Sequence, residues 1–249
     1  GTAISMIGKD SASGFWKRVK AGAEQAVTDI NEALGYTGNA KVKLTYDAPS
    51  KENVSEQIDI IDQMLDKNPD ALIVGYVDVN SGKTQLELAE SNGVPVFAVD
   101  SSIDNALIVS ETKTDNCKAA AEAAAKLCEA IGDSGEVALL VHSSETETGI
   151  EREKGFREEI EQNHPNVQII DTTYVNQDER SAEEIVAAVM ADHPDLKAYF
   201  GTNDDVTRVL AAVVSKFAPE GQTVVAAGFD TSAKLVQAVK DGTLTGVMG

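Results

Sequence analysis

Short apolar runs alternate with amphipathic helical stretches along the whole chain, and that rhythm narrows the fold more than any motif does. Strands are expected at Ala3–Ile7, Val42–Tyr46, Ala71–Val74, Val94–Val99, Leu107–Ser110, Val137–Val141, Val167–Tyr174, Ala198–Phe200, Val224–Ala227 and from Leu244 onward. Most are continuous apolar runs, as in strands buried on both faces of a parallel sheet. Helical patterns lie between them, such as Phe15–Leu34, Val54–Leu65, Lys113–Ile131, Ser181–Met190 and Asp204–Phe217. Regular βαβα alternation implies doubly wound parallel sheets with right-handed crossovers. Three turns share one pattern: Lys67-Asn68-Pro69-Asp70, Asn163-His164-Pro165-Asn166 and Asp192-His193-Pro194-Asp195. Proline cannot continue a helix and pushes the residue before it towards an extended backbone. These are αβ loops, so His164 and His193 fall at helix ends, far from the carboxyl ends of the strands.

The rhythm breaks once, between Asp100 and Asp115, where no helix of ordinary length joins Val96–Val99 to Leu107–Ser110. The break reads as a crossing between two lobes, residues 1–114 and 115–249, each with its own sheet. A ligand is then expected in the cleft between them. The 249 residues suffice for two such lobes. The excess of 41 acidic over 21 basic residues gives a net charge of −20, which repels phosphate backbones and argues against a nucleic-acid partner. No apolar run approaches the ~20 residues that span a bilayer. No basic and apolar leader opens the chain, so any signal peptide is expected to have been removed. Cys117 and Cys128 lie three helical turns apart, roughly 16 Å. That is too far for a disulfide, and both read as small structural apolar residues.

Polar residues gather where strands end, the edge at which open α/β sheets collect ligands. The first such loop, Gly8-Lys9-Asp10-Ser11-Ala12-Ser13-Gly14, lacks a phosphate-cradling glycine pattern and runs into Phe15 and Trp16. Aromatic faces beside ammonium, carboxylate and hydroxyl groups suit a small polyhydroxylated ligand with apolar C–H faces. Asp100 and Ser101, His142, Thr202-Asn203-Asp204 and Asp230 stand at later strand ends. Any one of these can be a helix cap, and capping is the better reading for Asp205, Thr231 and Ser232. Enzyme signals are weak. Gly75–Thr84 departs from a P-loop because six residues separate its glycines where four are needed. Neither Gly-x-Gly-x-x-Gly nor Gly-x-Ser-x-Gly occurs, and no His/Cys/carboxylate spacing indicates zinc. No catalytic constellation, metal or cofactor is expected.

The order of these elements resembles the periplasmic sugar-binding proteins of the ribose/galactose type, whose fold is shared with lac repressor-like regulatory cores. Ile4-Ser5-Met6-Ile7 with Phe15-Trp16 and Ala21-Gly22-Ala23 is similar to the family's opening strand, aromatic pair and helix. Pro95–Asp100 is similar to a strand ending in a ligand-binding aspartate, and Arg152-Glu153-Lys154-Gly155-Phe156 to an Arg-x-x-Gly-Phe motif. Tyr199–Asp204 and Ala227-Gly228-Phe229-Asp230 complete the set in order. The resemblance implies a non-enzymatic receptor that captures a small sugar or polyol for a membrane ABC permease. It would be monomeric when intact and extracytoplasmic, in the periplasm or lipid-anchored at a cell surface. It further implies that Arg152, Asp100 and Asp230 bind sugar hydroxyls, that Asn203 both donates and accepts, and that Phe15 and Trp16 cover ring faces. Lys9 and Ser13 depart from the ribose binder. Lys9 can bond an additional oxygen, favour an anionic or autoinducer-like ligand, or pair with Asp100. An effector-binding regulator core and a receptor-kinase ectodomain share the fold and are the alternatives. The family continues past the position of Gly249 and returns to the first lobe, so a further 30–50 residues or so are expected on that resemblance.

Overall fold

The structure, a computed structural model, describes residues 1–249 as two compact units. The first comprises Gly1–Lys113 with Glu145–Glu147, and the second Thr114–Ser144 with Thr148–Gly249.

The first unit runs β1 (Ala3–Ile7), α1 (Gly14–Ala33), β2 (Lys43–Asp47), α2 (Val54–Leu65), β3 (Ala71–Val74), α3 (Lys83–Ser91), β4 (Val96–Val99) and β5 (Ile108–Thr112). Its strands make one parallel sheet in the order β2-β1-β3-β4-β5. Ile7 pairs with both Asp47 and Val74, so three strands end level and deliver their loops to one edge. Ile7, Leu72 and Val74 pack against Ile61 and Leu65 of α2 and Leu86 of α3.

The second unit runs α4 (Asn116–Ala130), β6 (Gly135–Val141), α5 (Glu147–Asn163), β7 (Val167–Tyr174), α6 (Ala182–Asp192), β8 (Leu196–Gly201), α7 (Asp204–Phe217), β9 (Val225–Phe229), α8 (Ala233–Lys240) and β10 (Gly246–Met248). Its parallel sheet, β10-β9-β8-β6-β7, read from the β7 edge repeats the strand order of the first. The doubly wound fold expected from the sequence therefore occurs twice. Successive residues of a strand point to opposite faces, and in β6 both faces are covered. Ala138 and Leu140 meet Ile185 and Leu210; Val137, Leu139 and Val141 meet Ala124, Leu127 and Phe156. Burial on two sides is why β6 reads as an unbroken apolar run.

Two differences from the sequence reading have local causes. Lys113–Ile131 begins as a helix only at Asn116, because the Asp115 carboxylate accepts from the Lys118 N–H at 3.2 Å and caps it. The helix-less connection after Val99 lies inside the first sheet, since β5 pairs parallel with β4; the chain leaves the first unit only after Lys113. Parallel neighbours usually need a crossover of about a dozen residues, most often a helix. Here Asp100–Leu107 makes the passage as loop, and the register shifts between Val96 and Phe97.

Helix α6 starts in a reciprocal capping box: Ser181 Oγ accepts from the Glu184 N–H, and the Glu184 carboxylate accepts from the Ser181 N–H at 2.8 Å. Ser181→Ala is expected to cost about 1 kcal/mol and lower the melting temperature by roughly 2–4 °C. Circular dichroism melts check this; an unchanged midpoint assigns the helix start to packing alone.

Candidate functional site

In the first unit the carboxyl ends of β1 and β3 meet where the strand order reverses, the usual ligand position in such sheets. Gln57 of α2 holds them together. Its Nε2 donates to Gly8 O at 3.0 Å and Gly75 O at 2.7 Å, and its Oε1 accepts from the Val77 N–H at 3.0 Å. The Trp16 indole lies over these two glycines. A Cβ on Gly75 would stand 2.3 Å from its Cη2, and one on Gly8 2.8 Å from its Cε3, so only glycine lets the ring lie so close. Trp16 is buried and meets Phe15 edge-on, with centroids 5.5 Å apart. Phe15 itself is half-buried.

Lys9 leaves β1 into this setting at 3% exposure. Its Nζ lies 3.0 Å from Asp100 Oδ2, 3.9 Å from Glu52 Oε1 and 5.9 Å from the Trp16 ring centroid. Of the alternatives open for Lys9, pairing with Asp100 is the arrangement found. Asp100 has a left-handed backbone, φ 67°, and its N–H donates to Thr112 O at 2.9 Å. Asp10 shapes its own loop, accepting from the N–H groups of Ala12 (2.7 Å) and Ser13 (3.2 Å). Ser101 is buried, and its hydroxyl accepts from the Glu147 N–H at 3.2 Å. The Glu147 carboxylate takes the Ser102 N–H at 2.6 Å and pairs with Lys113. Beside Gly8 stands the Tyr46 phenol, whose pKa burial pushes up to about 12, with help from Asp47 and Asp10. It stays a neutral hydrogen-bond donor at physiological pH.

The second unit repeats the arrangement with other residues. Where β6 and β8 end, Thr202 Oγ1 accepts from the His142 N–H at 2.9 Å and lies 2.7 Å from His142 Nδ1. His142 Nε2 lies 3.2 Å from Thr148 Oγ1. Both ring nitrogens thus face threonine hydroxyls, which fixes the imidazole. Arg152, on the buried face of α5, is 5% exposed. Its Nε donates to Asn116 Oδ1 at 2.9 Å and its Nη1 to Thr202 O at 2.6 Å, while the guanidinium lies 4.1 Å from the Phe229 ring centroid. A planar, weakly hydrated cation stacks on an aromatic face at modest desolvation cost. Asp230 follows β9 as Asp100 follows β4. It too is left-handed, φ 73°; its N–H donates to Met248 O at 2.6 Å, and its Oδ2 accepts from the Asp204 N–H at 2.7 Å. Asn203 caps α7, its Oδ1 accepting from the Val206 N–H at 3.1 Å.

The structure therefore gathers Lys9, Asp10, Trp16 and Asp100 at one edge of the first sheet, and His142, Arg152, Asn203 and Asp230 at the corresponding edge of the second. Sequence reasoning missed Gln57, which ties the strand ends together, and Glu52 and Asn116, which hold Lys9 and Arg152; it placed Thr202 at a strand end but not as the partner of His142 and Arg152. Gln57 and Asn116 were findable. Each sits one helical turn before a buried apolar residue (Ile61, Ala120) on the apolar stripe of its helix, where a polar side chain needs a partner.

A family model described as a periplasmic binding protein domain matches residues 4–249. The ribose import binding protein of Bacillus subtilis is 25% identical over 197 residues, 79% of this chain and 62% of that protein. The D-apiose import binding protein of Paraburkholderia graminis is 25% identical over 202 residues, again 79% of this chain and 64% of that protein. The chain thus spans under two thirds of the length of both relatives. A solved ABC transporter solute binding protein from Agrobacterium vitis, bound with α-D-tagatopyranose, superposes with a TM-score of 0.87 at 25% identity, over 98% of this chain and 81% of that one. With twin doubly wound units, matched polar edges and a family model covering nearly every residue, the chain belongs to the periplasmic binding protein domain family.

Proposed function

We propose that this protein is a non-catalytic, extracytoplasmic receptor that captures a small neutral sugar or polyol and serves an ABC importer. The observation that carries the reading is the pair of matched edges, each offering a buried cation against an aromatic ring and an aspartate on a left-handed backbone: Lys9, Trp16 and Asp100 in one, Arg152, Phe229 and Asp230 in the other. Such groups bond hydroxyls by charge-assisted hydrogen bonds while rings cover C–H faces. At the first edge Phe15 and Trp16 cover a sugar ring while Lys9, Asp100 and Ser101 take hydroxyls; at the second edge Arg152, Asn203 and Asp230 take hydroxyls. Asp10, Ser13 and His142 shape the walls. Relatives whose names specify ribose and D-apiose import, and a neighbour holding tagatose, support the sugar class. No helix is long and apolar enough to cross a membrane.

The ion pair between Lys9 and Asp100 supports a neutral ligand. A cation matched at 3.0 Å leaves little reason to select an anion, and a net charge of −20 repels one. Trp16 is the sole tryptophan, so its emission reports occupancy. Titration with neutral pentoses, hexoses and pentitols is expected to change that emission saturably for at least one of them, with the corresponding sugar acid binding at least tenfold more weakly. If no neutral sugar binds at millimolar concentration in calorimetry, or the acid binds tighter, this reading is overturned.

A further inference from the structure

The loops that follow α4 and α5 lie at the amino edge of the second sheet, opposite the polar edge described above. There three donors converge: Cys128 Sγ, a carboxylate oxygen of Asp133 and a ring nitrogen of His164 all lie within 4.8 Å of one another. Both cysteines are free thiols, Cys128 fully buried. Asp133 is fixed by the end of α4, with a left-handed φ of 53° and its N–H donating to Cys128 O at 2.8 Å. His164 Nδ1 stands 2.8 Å from Asp133 Oδ1. On the other side of the ring, Nε2 is buried and makes no hydrogen bond, although Glu159 Oε1 is 3.4 Å away.

The convergence of three unlike donor atoms is the telling observation. A metal ion on Nδ1 moves the proton to Nε2, which then donates to Glu159. Metal-bound histidines commonly hold their second nitrogen in this way, against a carboxylate.

We propose that Cys128, Asp133 and His164 bind a zinc ion, with water as the fourth ligand and Glu159 as the carboxylate partner of the imidazole. Zinc takes sulfur at about 2.3 Å and nitrogen or carboxylate oxygen at about 2.0–2.2 Å in tetrahedral sites. Those lengths place the donor atoms about 3.3–3.6 Å apart, so Cys128 Sγ closes in by about an ångström at most, while Asp133 Oδ1 and His164 Nδ1, 2.8 Å apart, open by about half an ångström. A thiolate donor favours zinc over magnesium or calcium. Ligation by thiolate releases one proton, from sulfur to solvent. The ion ties the end of α4 to the loop after α5. It lies at the sheet edge away from Lys9 and Arg152, so it stabilises the second unit without touching the ligand.

Cobalt(II) titration of metal-free protein tests the site. One equivalent is expected to give the visible bands of a tetrahedral ion and a near-ultraviolet thiolate-to-cobalt band, both lost on adding zinc. Zinc is expected to raise the melting temperature by several degrees and leave sugar affinity unchanged. Cys128→Ser and His164→Asn are each expected to weaken binding at least a hundredfold. Should burial make Cys128→Ser fold poorly, the more exposed Asp133→Asn gives the same readout. The proposal fails if equimolar cobalt gives no thiolate band. It fails equally if the band survives in Cys128→Ser and His164→Asn, or if binding is octahedral and weak, as on any acidic surface.

Discussion

On the proposed function, Arg152→Ala is expected to weaken sugar binding by two to three orders of magnitude while the protein stays folded. The guanidinium is buried, bonded to Asn116 Oδ1 and Thr202 O and stacked on Phe229. Truncation strands two buried acceptors and uncovers an aromatic face at the edge where Asp230 and Asn203 stand. Losing one member of a buried charge-assisted set costs roughly 2–5 kcal/mol, and each 1.4 kcal/mol or so is a factor of ten in affinity. Arg152→Lys keeps the charge but not the planar fork, and is expected to fall between the two. Calorimetry gives the affinities, and circular dichroism confirms folding. Near-native affinity in both Arg152→Ala and Asp230→Ala would place the site elsewhere.

Gly155→Val is expected to be the most destabilising conservative change in the second unit. A Cβ there would stand 2.1 Å from Cys117 O and 2.6 Å from Cys117 Cα, atoms of the α4 backbone that cannot rotate away. Overpacking a well-packed core typically costs about 1–3 kcal/mol, more when backbone must move. The upper end corresponds to a loss of roughly 6–12 °C in melting temperature. Gly22 supplies the contrast: it lies within α1 with nothing near its missing Cβ. Gly22→Ala is therefore expected to stabilise, by up to about 1 kcal/mol of helix propensity. If Gly155→Val melts within two degrees or so of the parent, the close approach of α4 and α5 is not a constraint.

The motif Arg152-x-x-Gly155-Phe156 shows how far sequence carries. Its three positions act separately: Arg152 supplies a fork for Thr202 and Asn116, Gly155 a bare backbone against Cys117, and Phe156 a ring stacked 4.3 Å from Phe200. All three lie on one face of α5, as their spacing requires. The strands were legible because β6 and its neighbours are buried on both sides and so read as apolar runs. What was not legible depends on pairing between distant segments. Lys9 had three open roles until the sheet order brought the ends of β1 and β4 to the same edge. The attachment of Glu145–Glu147 to the first unit, and the meeting of Cys128 with His164, likewise follow from topology and not from spacing. A polar residue on an apolar helical stripe, as at Gln57, Asn116 and Arg152, was the one local signal left unused.

The left-handed backbones of Asp100 and Asp230 restrict how such a receptor can diverge. With φ at 67° and 73°, these positions tolerate few side chains, chiefly aspartate, asparagine and glycine. Descendants can exchange carboxylate for amide there, or lose the group, but cannot try a lysine, a leucine or a valine without strain. Phe15, Trp16 and Asn203 carry no such restriction, because their backbones lie outside the left-handed region. If the proposed function holds, new ligand preferences arise mainly through the residues that open helices, because the two aspartates have few substitutes.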